Sequence, residues 1–209
     1  MQIKICGITR PEDARMASAL GVDAVGFVFW SGSQRAVSVD QAQVLCRELA
    51  PFVTVTALLV NATANELETI LASVPVNLLQ FHGDETPAFC EQWSIPYIRA
   101  LPAAAGTDLI TEASRYTKAR GFLVDAVHEG KFGGTGTQFD WTVVPKHFAR
   151  PLILAGGLNF ANVAEGIRTV NPIGVDVSSG VESSPGIKDH DKMHRFINAA
   201  RTAKKGQRQ

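Results

Sequence analysis

The sequence predicts an α/β protein folded as a single (β/α)8 TIM barrel, with residues 1–209 forming one domain. Three observations carry that prediction. Short apolar runs without alternation recur along the chain, each followed by a stretch of helical periodicity, which is the pattern of parallel strands buried on both faces. Eight such pairs favour closure into a barrel over an open doubly wound sheet, and the first run lacks the Gly-x-Gly-x-x-Gly turn of such a sheet. Finally, two apolar runs near the C-terminal end close on glycines or small polar residues, in the segments Leu152–Asn159 and Gly174–Glu182. A barrel keeps its phosphate site on the loops after its last strands, where unshielded backbone N–H groups and a helix start meet an anion. The expected partner is therefore a phosphorylated small molecule.

Each element has a local reason. Ile3–Ile8 reads as the first strand, and Thr9 with Glu12 reads as a capping box around Pro11 that opens the first helix. Gly21 stops that helix, and Ala24–Phe29 is the second strand. A polar connection carrying Arg35 follows. Ser38 and Gln41 cap a helix that turns Ala42, Leu45, Cys46 and Leu49 to one face. Val53–Val60 is strand three, and Thr63 with Glu66 caps a helix carrying Leu67, Ile70, Leu71 and Val74 on its stripe. Val76–Phe81 is strand four, with a helix entered at Thr86 and Pro87. Tyr97–Leu101 and Gly121–Asp125 are strands five and six, with a helix from Asp108 to Tyr116 between them. A glycine-rich loop and a short helix after Asp140 come next. Leu152–Ala155 is strand seven, followed at once by a helix capped by Asn159 with Val163, Ile167 and Val170 inward. Ile173–Val177 is strand eight, and the last helix turns Met193, Phe196, Ile197 and Ala200 to one side.

Composition narrows the function classes. The chain is 45% hydrophobic and 19% charged, enough to bury a full core. Lys plus Arg and Asp plus Glu both number 20, so no global field favours nucleic acid or an anionic membrane. The chain opens directly on a strand-like segment without a signal-peptide pattern, and no apolar run has membrane-spanning length. Three cysteines, an odd number, argue against a disulfide framework and for the reducing cytoplasm. The basic tail from Arg201 to Gln209 reads as a frayed, solvated helix end.

In a barrel the chemistry sits where strands end. That rule selects Cys6, Arg35, Gln80, His82, Asp125, Asp176 and the two glycine-ended loops. Two readings fit Cys6: a base or nucleophile whose pKa lies within reach of neutrality, or a small buried hydrophobe. Two also fit Asp125: a general acid whose pKa burial raises, or a cap of the following turn. Gly133-Gly134-Thr135-Gly136 reads as a flap over a ligand or as a plain linker, and it lacks the Gly-Lys-Ser/Thr ending of a Walker loop. Arg35 suits a ligand carboxylate, held by two parallel hydrogen bonds, although a lone arginine on a loop is more often a solvated surface charge. Cys46 and Cys90 fall on helices and read as packing residues. His128, His147, His190 and His194 read as solvated, and no metal-ligand spacing or nucleophile elbow occurs.

Taken together, Lys4-Ile5-Cys6-Gly7-Ile8-Thr9, Ala24–Phe29, Gln80-Phe81-His82-Gly83-Asp84-Glu85, Gly133–Gly136, Leu154-Ala155-Gly156-Gly157-Leu158 and Gly174–Glu182 resemble, in order, the motifs of the phosphoribosylanthranilate isomerase family of tryptophan biosynthesis. The resemblance runs through nearly the whole chain. It implies a cytoplasmic barrel enzyme without cofactor or metal, a monomer or weak homodimer. The implied reaction is an Amadori rearrangement of N-(5-phosphoribosyl)anthranilate to 1-(2-carboxyphenylamino)-1-deoxyribulose 5-phosphate. By position Cys6 matches the general base and Asp125 the general acid. Arg35 matches the arginine on the anthranilate carboxylate, and Gly157, Ser179 and Gly180 match the phosphate loops. His82, Gly156 and Asp176 complete the expected substrate-binding set. The sequence departs from the family at Ser33-Gln34-Arg35-Ala36, where Ser-Pro-Arg or a basic pair is usual, and at Phe81, where leucine is familiar; Phe81 is expected to point inward or to be absorbed by packing.

Three rivals are weaker. The histidine-pathway isomerase that performs the same rearrangement carries aspartates at the ends of strands one and five, whereas here those positions hold Cys6 and Leu101-Pro102. Indole-glycerol-phosphate synthase needs lysines in the barrel strands, and only Lys4, deeper in strand one, is present. A binder that had lost its chemistry would not need both Cys6 and Asp125.

Overall fold

A computed structural model describes residues 1–104, 106–126 and 139–205. Eight of the described strands form one sheet: β1 (Gln2–Cys6), β2 (Ala24–Val28), β3 (Thr54–Leu59), β4 (Leu78–Phe81), β5 (Tyr97–Ala103), β6 (Gly121–Ala126), β7 (Leu152–Leu154) and β8 (Gly174–Val177). They pair in sequence order into a closed, all-parallel barrel. The closing seam sets Gln2, Ile3, Lys4 and Ile5 of β1 against Gly174, Val175, Asp176 and Val177 of β8. The predicted barrel is therefore the observed one.

Around it lie α1 (Pro11–Ala19), α2 (Val39–Cys46), α3 (Ala64–Ser73), α4 (Pro87–Glu91), α5 (Leu109–Ser114), α6 (Val163–Val170) and α7 (His190–Lys205). Alternation sorts each strand between two environments. Ile3, Ile5, Phe27, Leu59, Phe81 and Val175 face outward into the core shared with the helices. Lys4, Cys6, Thr56, Leu58, Gln80, Leu123 and Asp176 belong to the opposite parity and are buried within the barrel. Phe81 takes the outward face, where it is fully buried and meets Phe89 and Tyr97 edge-on, with ring centroids 6.0 and 5.6 Å apart. Of the two expectations for this residue, absorption by packing on the helix side is the one observed.

The boxes at Ser38/Gln41 and Thr63/Glu66 form in full, and Thr86 and Asp108 cap α4 and α5. Other expectations are corrected. Strand one ends at Cys6, and α1 has Arg10 at its N-cap without a side-chain cap bond. Thr9 instead donates its hydroxyl to the Gly186 carbonyl. The segment after Asp140 forms only a 3-10 turn, Trp141–Val143, so among the described residues β6 is not followed by an α-helix. Helix α6 starts at Val163 rather than beside the glycines, because Asn159 and Asn162 build turns first: the Asn162 side chain accepts from the Asn159 amide at 2.8 Å, and that of Asn159 accepts from Ala161 at 2.8 Å. Arg201 lies within α7 and donates to the Gly21 carbonyl at 2.6 Å, rather than fraying into solvent. An unexpected hairpin, β9 (Glu182–Ser184) with β10 (Ile187–Lys188), follows a 3-10 turn at Ser179–Val181. Among the described residues no helix is long and apolar enough to cross a membrane.

Candidate active site

One cavity opens at the C-terminal end of the strands. Cys6, Arg35, His82, Asp125, Gly156, Gly157, Asp176 and Ser179 all line it, so nearly the whole sequence-derived set is brought together. Gly180 contributes differently. A Cβ there would overlap the Leu158 carbonyl oxygen, so the loops after β7 and β8 touch because that residue is glycine. Gly156 has a φ of +76°, and a side chain on it would stand 2.6 Å from the Ala126 nitrogen and 3.0 Å from Asp125 Oδ1. The β7 loop thereby packs directly on the end of β6. With α6 starting further on, the cradle consists of turn backbone and of the Ser178–Ser179 segment. The Gly133–Gly136 segment and His128 lie outside the described residues.

Cys6 sits at the end of β1 with Gly26 opposite on β2. Val28, Leu58 and Val60 pack beside it, with Trp30 against them, forming an apolar wall. Burial pushes the Cys6 thiol above its ordinary value, while Lys4 pulls it down, Asp176 pushes it up and Lys188 pulls it down. Burial pushes Cys46 to about 11, and burial, only partly opposed by Arg99, pushes Cys90 to about 12. The thiol in the cavity has two cations acting on it, Lys4 and Lys188.

Asp125 departs from the expected buried, apolar setting. It is half-buried, accepts a hydrogen bond from the Ala126 amide at 2.8 Å, and has His82 Nε2 3.3 Å from its Oδ2. Behind His82, Gln80 Nε2 lies 3.2 Å from Nδ1. The His82 ring therefore bridges the Gln80 amide and the Asp125 carboxyl group.

Arg35 is already held. Its Nε donates to Glu182 Oε1 at 2.8 Å and its Nη2 to Oε2 at 2.7 Å, a fork-to-carboxylate pair. Gly7, with a φ of +73°, makes room, since a Cβ there would stand 2.6 Å from Arg35 Cδ. Glu182 also receives Lys188 Nζ at 2.8 Å, and that ammonium donates to the Cys6 carbonyl at 2.6 Å. Burial alone would raise the Glu182 carboxyl, but Arg35 and Lys188 together hold it below the ordinary range. Burial draws the Lys188 ammonium below its usual value although Glu182 opposes this. Neither Glu182 nor Lys188 was singled out by the sequence. Lys188 bonds across 182 positions to Cys6, and no local pattern announces such a contact.

Asp176 is buried with its Oδ2 at 2.8 Å from Lys4 Nζ. Its Oδ1 has no hydrogen-bond partner among the described residues. His190, expected in solvent, pairs with the buried Asp13 at 2.9 Å.

A turn-lined anion cradle beside a thiol among cations and a carboxylate–imidazole pair can bind a phosphate ester and move protons at the far end of it. Known proteins resemble the chain along nearly its whole length. Residues 3–199 match the family described as N-(5'phosphoribosyl)anthranilate (PRA) isomerase. An N-(5'-phosphoribosyl)anthranilate isomerase from Pseudomonas fluorescens is 54% identical over 198 residues, covering 95% of this chain and 97% of the relative. The crystal structure of phosphoribosyl anthranilate isomerase from Thermotoga maritima superimposes with a TM-score of 0.89 at 37% identity, covering 97% and 99% of the two chains. A phosphoribosyl anthranilate isomerase in complex with reduced 1-(o-carboxyphenylamino)-1-deoxyribulose 5-phosphate gives a TM-score of 0.86 at 36% identity, over 97% and 99%.

Proposed function

The chain belongs to the N-(5'-phosphoribosyl)anthranilate isomerase family of tryptophan biosynthesis, and from that premise we propose that its cavity performs the Amadori rearrangement by general acid–base catalysis between Cys6 and Asp125. The observation that carries this reading is the single cavity shared by Cys6, Asp125, Arg35 and both glycine-ended loops.

The 5′-phosphate sits on Gly156, Gly157, Ser179 and Gly180. Strands β7 and β8, which carry these loops, separate β6 from β1, so the phosphate end is anchored between acid and base. Asp125 gives a proton to the ribose ring oxygen, the ring opens and an iminium forms at C1′. His82 binds at the Asp125 carboxylate and orients its proton. The Cys6 thiolate then takes the proton from C2′, the C–H electron pair becomes the C1′–C2′ double bond, and the iminium electrons move to nitrogen. Tautomerisation of this enolamine gives the aminoketone. Asp176 Oδ1, buried and unpartnered, accepts from a sugar hydroxyl. The anthranilate ring lies along the Val28–Leu58 wall, with its carboxylate on the end-on edge of the Arg35 guanidinium that Glu182 leaves open.

The test is an anthranilate-fluorescence assay on the purified chain, with substrate generated in situ. Loss of substrate fluorescence that depends on the chain is the expected result, together with rescue of a tryptophan-requiring strain lacking this step. No turnover and no rescue would overturn the reading.

A further inference from the structure

Lys4 is a charged residue inside the barrel that the reaction as described does not use. It sits two positions before Cys6 on β1, so both side chains point to the same face, with their Cα atoms about 6.6 Å apart. A four-carbon side chain spans that gap. Gly26 on β2 faces both: a Cβ there would stand 2.8 Å from Cys6 Sγ and 3.1 Å from Lys4 Cε. The two side chains thus converge on the space that this glycine leaves. Lys4 lies one layer below the cavity, whereas Cys6 and Asp176 reach its wall.

A buried ammonium persists only if a counter-charge offsets its desolvation. Asp176, level with Lys4 across the closing seam, supplies it at 2.8 Å. Burial would lower the Lys4 ammonium, but Asp176 and then Cys6 outweigh it and leave its pKa raised. The pair is neutral as a whole, so its action on the thiol depends on which end is nearer. Lys4 shares the strand and face of Cys6, and its pull on the thiol ranks ahead of the push from Asp176.

We propose that Lys4 is a positioning residue for Cys6: its ammonium, fixed by Asp176, stands beside the sulfur and stabilises the thiolate that takes the substrate proton. Lys4 keeps its own proton throughout. The thiol proton leaves to solvent before the substrate step, in which the S–H bond forms as the C2′–H bond breaks. This inference rests on Cys6 being the base. The other charged groups facing Cys6 are Asp176 on β8, Lys188 on β10 and Arg35 in the β2–α2 loop, with His82 and Asp125 across the cavity.

The experiment measures iodoacetamide alkylation of the Cys6 peptide against pH by mass spectrometry, in the full chain and without substrate. Lys4→Met is expected to move the alkylation midpoint up by about one pH unit or more, the size of effect an adjacent opposite charge has on a pKa. Lys4→Arg, which keeps the charge, is expected to return it toward the parent. The acidic limb of kcat/KM moves up with the alkylation midpoint in Lys4→Met. A purely structural role would lower stability and leave the midpoint where it was, and an unchanged midpoint overturns the proposal. Should Lys4→Met fail to fold, Lys4→Gln, which still donates to Asp176, carries the same prediction. Normal turnover in Cys6→Ala would instead overturn Cys6 as base, an outcome separate from the alkylation result.

Discussion

In the proposed reaction Arg35 meets the anthranilate carboxylate as half of an existing ion pair. Glu182 occupies Nε and one Nη2 hydrogen, which leaves the end-on pair of donors for a carboxylate. The pairing also fixes the guanidinium before substrate arrives, so the grip acts alike in ground and transition states. Arg35→Ala should therefore raise KM by about 10- to 100-fold, the worth of a charge-assisted hydrogen bond, with kcat nearly unchanged. Steady-state kinetics decide this, and a loss confined to kcat would contradict it. At this scale Cys6, Asp125 and Arg35 were legible because strand ends are functional positions and their residue types carry chemistry. Glu182 and Lys188 were not, since their roles depend on partners on β1 and in the β2–α2 loop. Lys4 was read as merely deep in its strand; parity with Cys6 was the signal that could have found it.

The phosphate cradle belongs to the scale of elements. Two turns after β7 and β8 are in contact only because Gly180 has no side chain to meet the Leu158 carbonyl. The obstacle is backbone, so it cannot swing aside. Gly180→Ala should push the loops apart, destabilise the chain by about 1–3 kcal/mol as overpacking does, and weaken inhibition by inorganic phosphate. Thermal melts and competition kinetics read both; unchanged values would show that the turns are not interdependent. The glycines were visible in the sequence, but the helix was placed too close to them. Asn159 satisfies its capping chemistry in a turn, and helix entry waits for Val163. Thr9 failed as a cap for a related reason, because its hydroxyl is drawn to a distant carbonyl in the hairpin. Caps whose partners stay local, at Ser38 and Thr63, were read correctly. The hairpin itself is two and three residues per strand, below what alternation can reveal.

For the whole molecule, closure is what gives these residues a common site. The seam between β1 and β8 puts Lys4 beside Asp176, and the circuit sets Cys6 and Asp125 two strands to either side of the β7–β8 gap. The repeat of apolar strands and amphipathic helices was enough to foresee the barrel, since burial on both faces follows from composition alone. The central claim is that Cys6 and Asp125 exchange protons with a substrate anchored between them. It is tested most directly by measuring kcat for Cys6→Ala and Asp125→Asn alongside the affinity of each for reduced 1-(o-carboxyphenylamino)-1-deoxyribulose 5-phosphate, which cannot react. Each variant should lose about 100-fold or more in kcat, the usual worth of a positioned acid or base, while binding the analogue nearly as tightly as the parent. Near-normal kcat in either variant would contradict the claim.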